Sequence, residues 1–294
     1  MIRSLLLTGL AAAFAAPAFA ATPINETRPL DARGSVDVSN LKGSIEVRTW
    51  DRAEVRITGS LGDGVERLAI EGGERSLSVE VRYPRNSRNS EPTTLVIDIP
   101  RQASLEVDSV AASVNVTGVG GAKLDIESVS GAVVAVGAPG EASIESVSGN
   151  LRLNLNSREV AVDSVSGNIA LRGRIGSSVE AESVSGNIDI DTRGERLRRL
   201  DASSVSGDTS IRTGLASGGS ITLESVSGDI RLTLPRDLSA RASGASFSGS
   251  LDAAGADVKR KKYGPGASFE HRYGGGDGEV KLETFSGNAR LSLD

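Results

Sequence analysis

The sequence predicts an all-β fold: a single-chain β-solenoid, or β-helix, of stacked 18–21 residue coils with an atypical C-terminal capping hairpin. The first observation is a phrase, Glu-Ser-Val-Ser-Gly or a near variant, that occurs eight times and ends at glycines 18, 19 or 21 residues apart, with one final interval of 38. Those glycines are Gly131, Gly149, Gly167, Gly186, Gly207, Gly228, Gly249 and Gly287. The second is that apolar and polar residues alternate on both sides of the phrase, which is typical of strands. Such a period indicates stacked units that bury their apolar faces against one another.

Residues 1–20 have the pattern of a secretory signal peptide. Arg3 supplies the positive start, residues 5–16 are apolar, and Ala18-Phe19-Ala20 is a small-x-small cleavage site. We therefore expect an exported protein, periplasmic or at the cell surface. The sequence contains no cysteine, so disulfides are excluded. No later segment is apolar for long enough to predict a transmembrane helix.

Residues 21–100 are predicted to form irregular β coils at the start of the solenoid. Residues 41–48 resemble a degenerate repeat, because a glycine turn opens an alternating run there. The segments 54–57, 77–81 and 95–99 also alternate apolar and polar residues, which places one set of side chains in a core. We favour continuity with the solenoid over a separate lobe.

Residues 101–294 are predicted to form the regular repeats and the C-terminal cap. Glycine suits a corner that requires positive φ or has no room for a Cβ. Coils stacked about 4.8 Å apart place equivalent side chains in ladders. One predicted ladder comprises Val129, Val147, Val165, Val184, Val205 and Val226. A second comprises Leu151, Ile169, Ile188 and Ile230.

The pattern changes after residue 235. The long interval before Gly287 holds an insertion at residues 259–266, which we interpret as a protruding hairpin, and then a last coil at residues 280–293. Solenoid ends expose unpaired strand edges, so an atypical terminal unit is expected there.

Several motifs in this order resemble a known family. They are Thr49-Trp50-Asp51, Ile99-Pro100 before residues 105–110, the repeated Ser-Val-Ser-Gly, and residues 273–276 followed by 284–287. The chain resembles the bacterial "putative adhesin" domain family, which has no assigned function, and the resemblance covers nearly all of the mature chain. It implies a secreted β-helical fold and carries no catalytic residues over to this sequence.

The acidic position of the repeat is also expected to stack. Its members are Glu127, Glu145, Asp163, Glu182, Glu224 and Glu283, with Ser203 interrupting the series. Adjacent carboxylates about 5 Å apart repel one another, and a divalent cation or facing arginines would relieve the repulsion. We favour a solvated face that discourages aggregation, and cation binding and acid–base catalysis remain alternatives. No metal or other cofactor is predicted.

The ladder serines are expected to hold the corner or to bond along the ladder. A nucleophilic serine needs a base within hydrogen-bond reach, and the only histidine, His271, lies in the terminal region. Asn150, Asn168 and Asn187 similarly suit a turn corner. The segment 274–278 resembles one copy of a calcium-binding glycine/aspartate repeat, which normally requires tandem copies.

Charge and aromatic residues coincide at the C-terminal end. Partner contacts are predicted at Lys259, Arg260, Lys261, Lys262, Tyr263 and Tyr273. For the basic run itself we favour a solvated hairpin that keeps this end from pairing with another chain, and contact with phosphate or uronate groups of an envelope polymer is the alternative. Phe247, Tyr263, Phe269, Tyr273 and Phe285 form a predicted aromatic cluster, which by default packs under the cap.

The function that the sequence favours is a non-enzymatic envelope or surface protein, an adhesin or scaffold that presents β ladders. Without Arg3 the chain has 32 basic against 38 acidic residues, a net charge of −6, which argues against nucleic acid as a partner. The predicted partner is an envelope polysaccharide or another surface protein. Self-assembly into filaments through the solenoid ends is the alternative, and a polysaccharide-active β-helix enzyme ranks below it.

Overall fold

The computed structural model describes residues 22–85, 89–260 and 266–294, so the proposed signal peptide lies outside the described residues. Within these ranges the chain is all-β, with 23 strands and no helix. The strands are β1 (Thr22–Pro29), β2 (Ser35–Trp50), β3 (Glu54–Leu61), β4 (Arg67–Gly72), β5 (Ser76–Arg82), β6 (Thr93–Pro100), β7 (Ser104–Val119), β8 (Lys123–Ser128), β9 (Val133–Gly137), β10 (Glu141–Ser146), β11 (Leu151–Leu155), β12 (Ser157–Ser164), β13 (Ile169–Arg172), β14 (Ile175–Ser183), β15 (Ile188–Ser204), β16 (Thr209–Ser225), β17 (Ile230–Leu234), β18 (Ala240–Ser246), β19 (Leu251–Ala253), β20 (Lys259–Arg260), β21 (Ala267–Tyr273), β22 (Gly278–Thr284) and β23 (Ala289–Leu293).

Successive coils pair in parallel, and equivalent repeat positions lie beside one another. In the first stack, β8, β10, β12 and β14 follow in turn, and the serine before each repeated valine pairs with its counterpart. In the second stack, β9, β11, β13 and the start of β15 likewise follow in turn, each paired in parallel with the next. The long strands β15 and β16 contribute to both stacks. This is the strand arrangement of a β-helix-like solenoid, as the sequence predicts.

The N-terminal passage joins the same sheet. Strand β2 pairs in parallel with β7 along both stacks, and it also pairs in parallel with β5 and β6. Beyond these pairs the strands turn antiparallel: β4 pairs with β5, β3 with β6, and β1 with β3. The N-terminal end is therefore closed by antiparallel edge strands.

The C-terminal end differs from the prediction of a last coil at residues 280–293. Strand β22 pairs with β16 on one side and with β18 on the other, and β23 lies between β17 and β19. The final coil of the sequence is thus an interior coil of the stack. The hairpin β20–β21 does not protrude freely, because β21 pairs antiparallel with β18 along its whole length.

The two ends differ in how far they oppose end-to-end addition of another chain. At the C-terminal end, β19 has three residues and β20 has two, but β20 covers only the first two residues of β21, whose residues 269–273 have no further strand partner among the described residues. At the other end, β1 contains Pro23 and Pro29, which cannot donate ladder hydrogen bonds. The N-terminal edge therefore gives little support to the filament alternative. No helix in the described ranges is long and apolar enough to cross a membrane.

The core is a set of inward-facing ladders, and one of them is interrupted. Leu151, Ile169, Ile188 and Ile230 lie in the predicted second ladder, but Thr209 stands between the last two. Thr209 is 1% exposed, and its hydroxyl has no hydrogen-bond partner among the described residues. A buried hydroxyl without a partner destabilises the fold.

We expect Thr209→Val to stabilise the protein by about 1 kcal/mol, because it removes the unpaired hydroxyl and keeps the branched shape. For a chain of this size the thermal midpoint should rise by about 2–4 °C, as circular dichroism would measure. Thr192→Val is the matched control. Thr192 is also fully buried, but its hydroxyl donates to the hydroxyl of Thr213 at 2.9 Å. Because the variant loses this hydrogen bond, its thermal midpoint should fall. A shift in the same direction for both variants would contradict this account.

Candidate functional site

The repeated phrase forms one corner of each coil, and side-chain hydrogen bonds hold it. At the corner of Gly167, the Ser164 hydroxyl donates to the Gly167 carbonyl and accepts from the Gly167 amide, both at 2.9 Å. The second serine, Ser166, donates to the Val147 carbonyl of the preceding coil at 3.1 Å. The backbone N–H of Asn168 donates to the side-chain Oδ1 of Asn150 at 3.0 Å. The serines therefore both hold the corner and link neighbouring coils, as the sequence predicts.

The repeated valine faces solvent because strand alternation continues through the corner. Ile126 is buried, Glu127 is exposed, Ser128 is buried and Val129 is exposed. Pairing of equivalent positions aligns these valines from coil to coil, and two phenylalanines occupy the same position in the last coils. We call this line the apolar row: Val110, Val129, Val147, Val165, Val184, Val205, Val226, Phe285 and Phe247.

The apolar row contains almost all of the large exposed apolar side chains in the described residues. Its members are 43–57% exposed, and Val136 alone exceeds 40% elsewhere among those residues. Phe285 and Phe247 stack in parallel, with ring centroids 4.7 Å apart and planes 6° apart. They are therefore not packed under the cap, which corrects the predicted aromatic cluster, whereas Phe269 and Tyr273 are buried. Nine side chains at about 4.8 Å per coil form a line about 38 Å long.

An acidic row runs beside the apolar row. The predicted stacking of the acidic positions is confirmed, and the interruption by Ser203 falls in register. The row also includes Asp108, which pairs with Glu127 and which the sequence analysis missed. The acidic row is Asp108, Glu127, Glu145, Asp163, Glu182, Glu224 and Glu283.

Partial burial and neighbouring carboxylates both act on the two aspartates of the acidic row. Partial burial, and then the charges of Glu182 and Glu145, raise the pKa of Asp163 above its ordinary value. Partial burial, and then the charges of Asp37 and Glu127, raise the pKa of Asp108. Burial is the larger cause for both aspartates, and repulsion from neighbouring carboxylates adds to it, so a nearby cation would favour the charged form of each.

Cations of the chain itself reach other acids but leave the centre of the acidic row unpaired. Further out on the same face, Lys123 pairs with Asp125 and Arg199 with Asp201. Near the C-terminal end, Lys281 lies 3.0 Å from Glu283 and 3.7 Å from Glu224. Within the described residues, the five acids from Asp108 to Glu182 take part in no ion pair.

The two rows border a shallow groove along the corner. Its main part, about 860 Å³, extends from Asp108 to Val205, with the buried serines at its base. Leu41, Val81 and Tyr83 close its N-terminal end, where the Tyr83 hydroxyl donates to Oδ1 of Asn40 at 2.8 Å. A second part, about 720 Å³, continues past Val205 to the two stacked phenylalanines. We call the whole feature the corner groove.

The partner contacts predicted from sequence lie at one end of this groove or outside the described residues. Lys259 and Arg260 are exposed on β20, opposite Ser268 and Ala267, which line the groove. Lys261, Lys262 and Tyr263 lie outside the described residues. Tyr273 is buried, and its hydroxyl donates to the Ala254 carbonyl at 2.6 Å. Burial raises the pKa of Tyr273 and leaves little of its side chain for a partner to contact.

The groups suited to catalysis or metal binding are engaged or dispersed. The inward serines of the repeats bond to backbone atoms, and His271 packs edge-on against Tyr273 with ring centroids 4.5 Å apart. Within the described residues, no group of three or more His, Asp or Glu side chains is arranged to hold a metal ion. The corner presents exposed apolar side chains beside a row of carboxylates, which suits contact with apolar and cationic groups.

Comparison with known proteins places this geometry in context. A family model described as Toastrack DUF4097 matches residues 31–217, more than half of the chain. The fold is similar to that of a "putative lipid binding protein" from Parabacteroides distasonis ATCC 8503, at 12% identity and a TM-score of 0.51, over 92% of this chain and 96% of that chain. It is also similar to a "putative adhesin" from the same organism, at 10% identity and a TM-score of 0.48, over 92% and 97%. Among curated proteins, none matches this sequence.

Proposed function

This chain belongs to the Toastrack DUF4097 family, and on that premise we propose that it is a non-enzymatic, exported envelope or surface protein that binds its partner along the corner groove. Membership of the family confirms the resemblance found in the sequence. Export rests on the signal-peptide pattern of residues 1–20. The role is that of an adhesin or scaffold, in which a rigid stack of coils presents a long contact line.

The observation that carries the proposal is the apolar row. Exposed apolar side chains scattered singly are ordinary on protein surfaces, but a contiguous line of them marks an interaction site. Nine exposed apolar side chains fall on one corner, and the adjoining faces are polar. Because every coil from β7 onward contributes one such side chain, the line is built by the repeat itself and lengthens with it.

The test is co-sedimentation of the purified chain, residues 21–294, with isolated bacterial envelope fractions: sacculi, outer membrane and exopolysaccharide. Val165→Thr keeps the branched shape and adds a hydroxyl to the apolar row. Val136→Thr makes the same change at an exposed valine on a flat face outside the row. We expect saturable binding to one fraction, weakened about threefold by Val165→Thr and unchanged by Val136→Thr.

The triple variant Val147→Thr, Val165→Thr and Val184→Thr should weaken envelope binding by at least tenfold, since each change removes one apolar contact. Equal binding by the triple variant and the unmodified chain would contradict the proposal. Circular dichroism controls for folding, and no loss of structure is expected because all three side chains face solvent.

A further inference from the structure

We propose that the corner groove binds an extended cationic segment of a partner protein, with its apolar side chains on the apolar row and its lysines or arginines on the acidic row. This inference rests on the proposed function, since it names the chemistry of the partner that the groove takes. The argument is charge complementarity combined with the parallel course of the two rows.

The five central acids of the acidic row, from Asp108 to Glu182, have no ion-pair partner within the described chain, so a cation of a binding partner can pair with them. Two other acids on the same face have a partner: Arg158 pairs with Glu141 and lies 3.2 Å from Glu159. At the end of the row itself, Lys281 bridges Glu224 and Glu283, which shows that a lysine can lie between two coils of this row. From Asp108 to Glu182 no lysine or arginine of the described chain does the same. A bound cationic segment would take the place that Lys281 occupies at the end.

The two rows match the two sides of an extended segment. Successive side chains of a strand point to opposite sides, so alternating apolar and basic residues would face the apolar row and the acidic row at once. The full apolar row, about 38 Å, corresponds to about 11 extended residues, and the five central acids, about 19 Å, to about six. On one side of an extended bound segment, side chains follow one another about every 6.7 Å, whereas the side chains of each row follow one another about every 4.8 Å, the spacing between coils. The flexible stem of lysine accommodates that difference.

The same observations disfavour other occupants. Phosphate headgroups, uronate polymers and nucleic acids would meet the acidic row with like charge. In the described part of a second copy, two arginines of the second stack are already paired: Arg290 lies 3.0 Å from Asp252, and Arg231 lies 3.1 Å from Asp229. A partner segment with its own lysines or arginines is the occupant that fits both rows.

The probe is a fluorescent 12-residue peptide of alternating lysine and valine, titrated with the purified chain at 0.15 M salt, where distant charges are screened. Two peptides of equal length are controls: alternating glutamate and valine, and alternating lysine and serine. We expect binding of the lysine–valine peptide, at least tenfold weaker binding of the lysine–serine peptide, and none of the glutamate–valine peptide.

Matched variants of the chain locate the binding. Glu127→Gln with Glu145→Gln neutralises two neighbouring acids of the acidic row. Glu106→Gln with Glu180→Gln neutralises two exposed acids on the same face but outside the groove, with the same change in net charge. We expect the first pair to weaken peptide binding about threefold to tenfold, and the second by less than twofold.

Three results would overturn the inference: equal effects of the two double variants, binding of the glutamate–valine peptide, or equal binding of the lysine–serine and lysine–valine peptides. Failure of this inference is distinguishable from failure of the proposed function. If the triple valine variant loses envelope binding while Glu127→Gln with Glu145→Gln retains it fully, the proposed function stands and the cationic partner is wrong. If the triple valine variant binds the envelope fractions as well as the unmodified chain does, the proposed function itself is wrong.

Discussion

Gly167→Ala is expected to destabilise the protein by about 3 kcal/mol or more, because a Cβ at this corner has no space. It would lie 1.9 Å from the Gly149 carbonyl oxygen and 2.7 Å from its carbon, both in the backbone of the preceding coil. The corner glycines do not have positive φ, so the requirement is for space and not for a left-handed backbone. The two coils would have to separate and lose hydrogen bonds on both sides of the corner. The measurement is thermal and urea unfolding followed by circular dichroism.

Gly176→Ala is the matched control for this prediction. Gly176 lies in β14, its φ is not positive, and a Cβ there would meet nothing within 4 Å. Replacing glycine by alanine in a strand with room for it costs nothing and reduces the entropy of the unfolded chain. We therefore expect a change within about 0.5 kcal/mol. Equal destabilisation by both variants would contradict the proposed crowding at the corners.

Deletion of residues 278–294 is expected to unfold the whole C-terminal end, although it removes only the last stretch of sequence. Strands β22 and β23 lie between β16–β17 and β18–β19 in the stack. Without them, β18 and the hairpin β20–β21 have no strand joining them to the rest of the solenoid. Hydrogen-exchange mass spectrometry should show loss of protection in β18, β19 and β21, and retained protection from β8 to β14.

Deletion of residues 22–29 is the control for the truncation. Strand β1 pairs on one side only, with β3, so its removal exposes one new edge and disconnects nothing else. We expect protection to fall in β3 and to remain elsewhere. Retained protection of β18 after deletion of residues 278–294 would show that the terminal coils pair in a different order.

Much of the fold can be predicted from the sequence because the repeat fixes which residues are equivalent. The stacking of Glu127, Glu145 and Asp163 and the corner role of the serines follow from position in the repeat, and both are confirmed. The order of the last coils cannot be predicted in this way. The alternating run around Val280 and Leu282 has the pattern of any coil, so the sequence does not indicate which neighbours it pairs with.

The exposure of the valine ladder follows from the alternation of residues in the sequence. Counting by two from the buried Ile126 places Ser128 inside and Val129 outside, so strict alternation already predicts an exposed valine. The same rule separates the phenylalanines. Phe247 and Phe285 stand at the valine position of the phrases that end at Gly249 and Gly287 and are exposed, whereas Phe269 lies outside any copy of the phrase and is buried.

The most direct test of the apolar row as the contact surface is site-specific photo-cross-linking to envelope fractions. A photoreactive phenylalanine analogue would replace Val165 in one variant and Val136 in another, both of which face solvent. We expect cross-linked adducts from position 165, competed by the lysine–valine peptide, and none from position 136. Adducts from position 136 alone, or equally from both positions, would contradict the assignment of the corner groove as the binding surface.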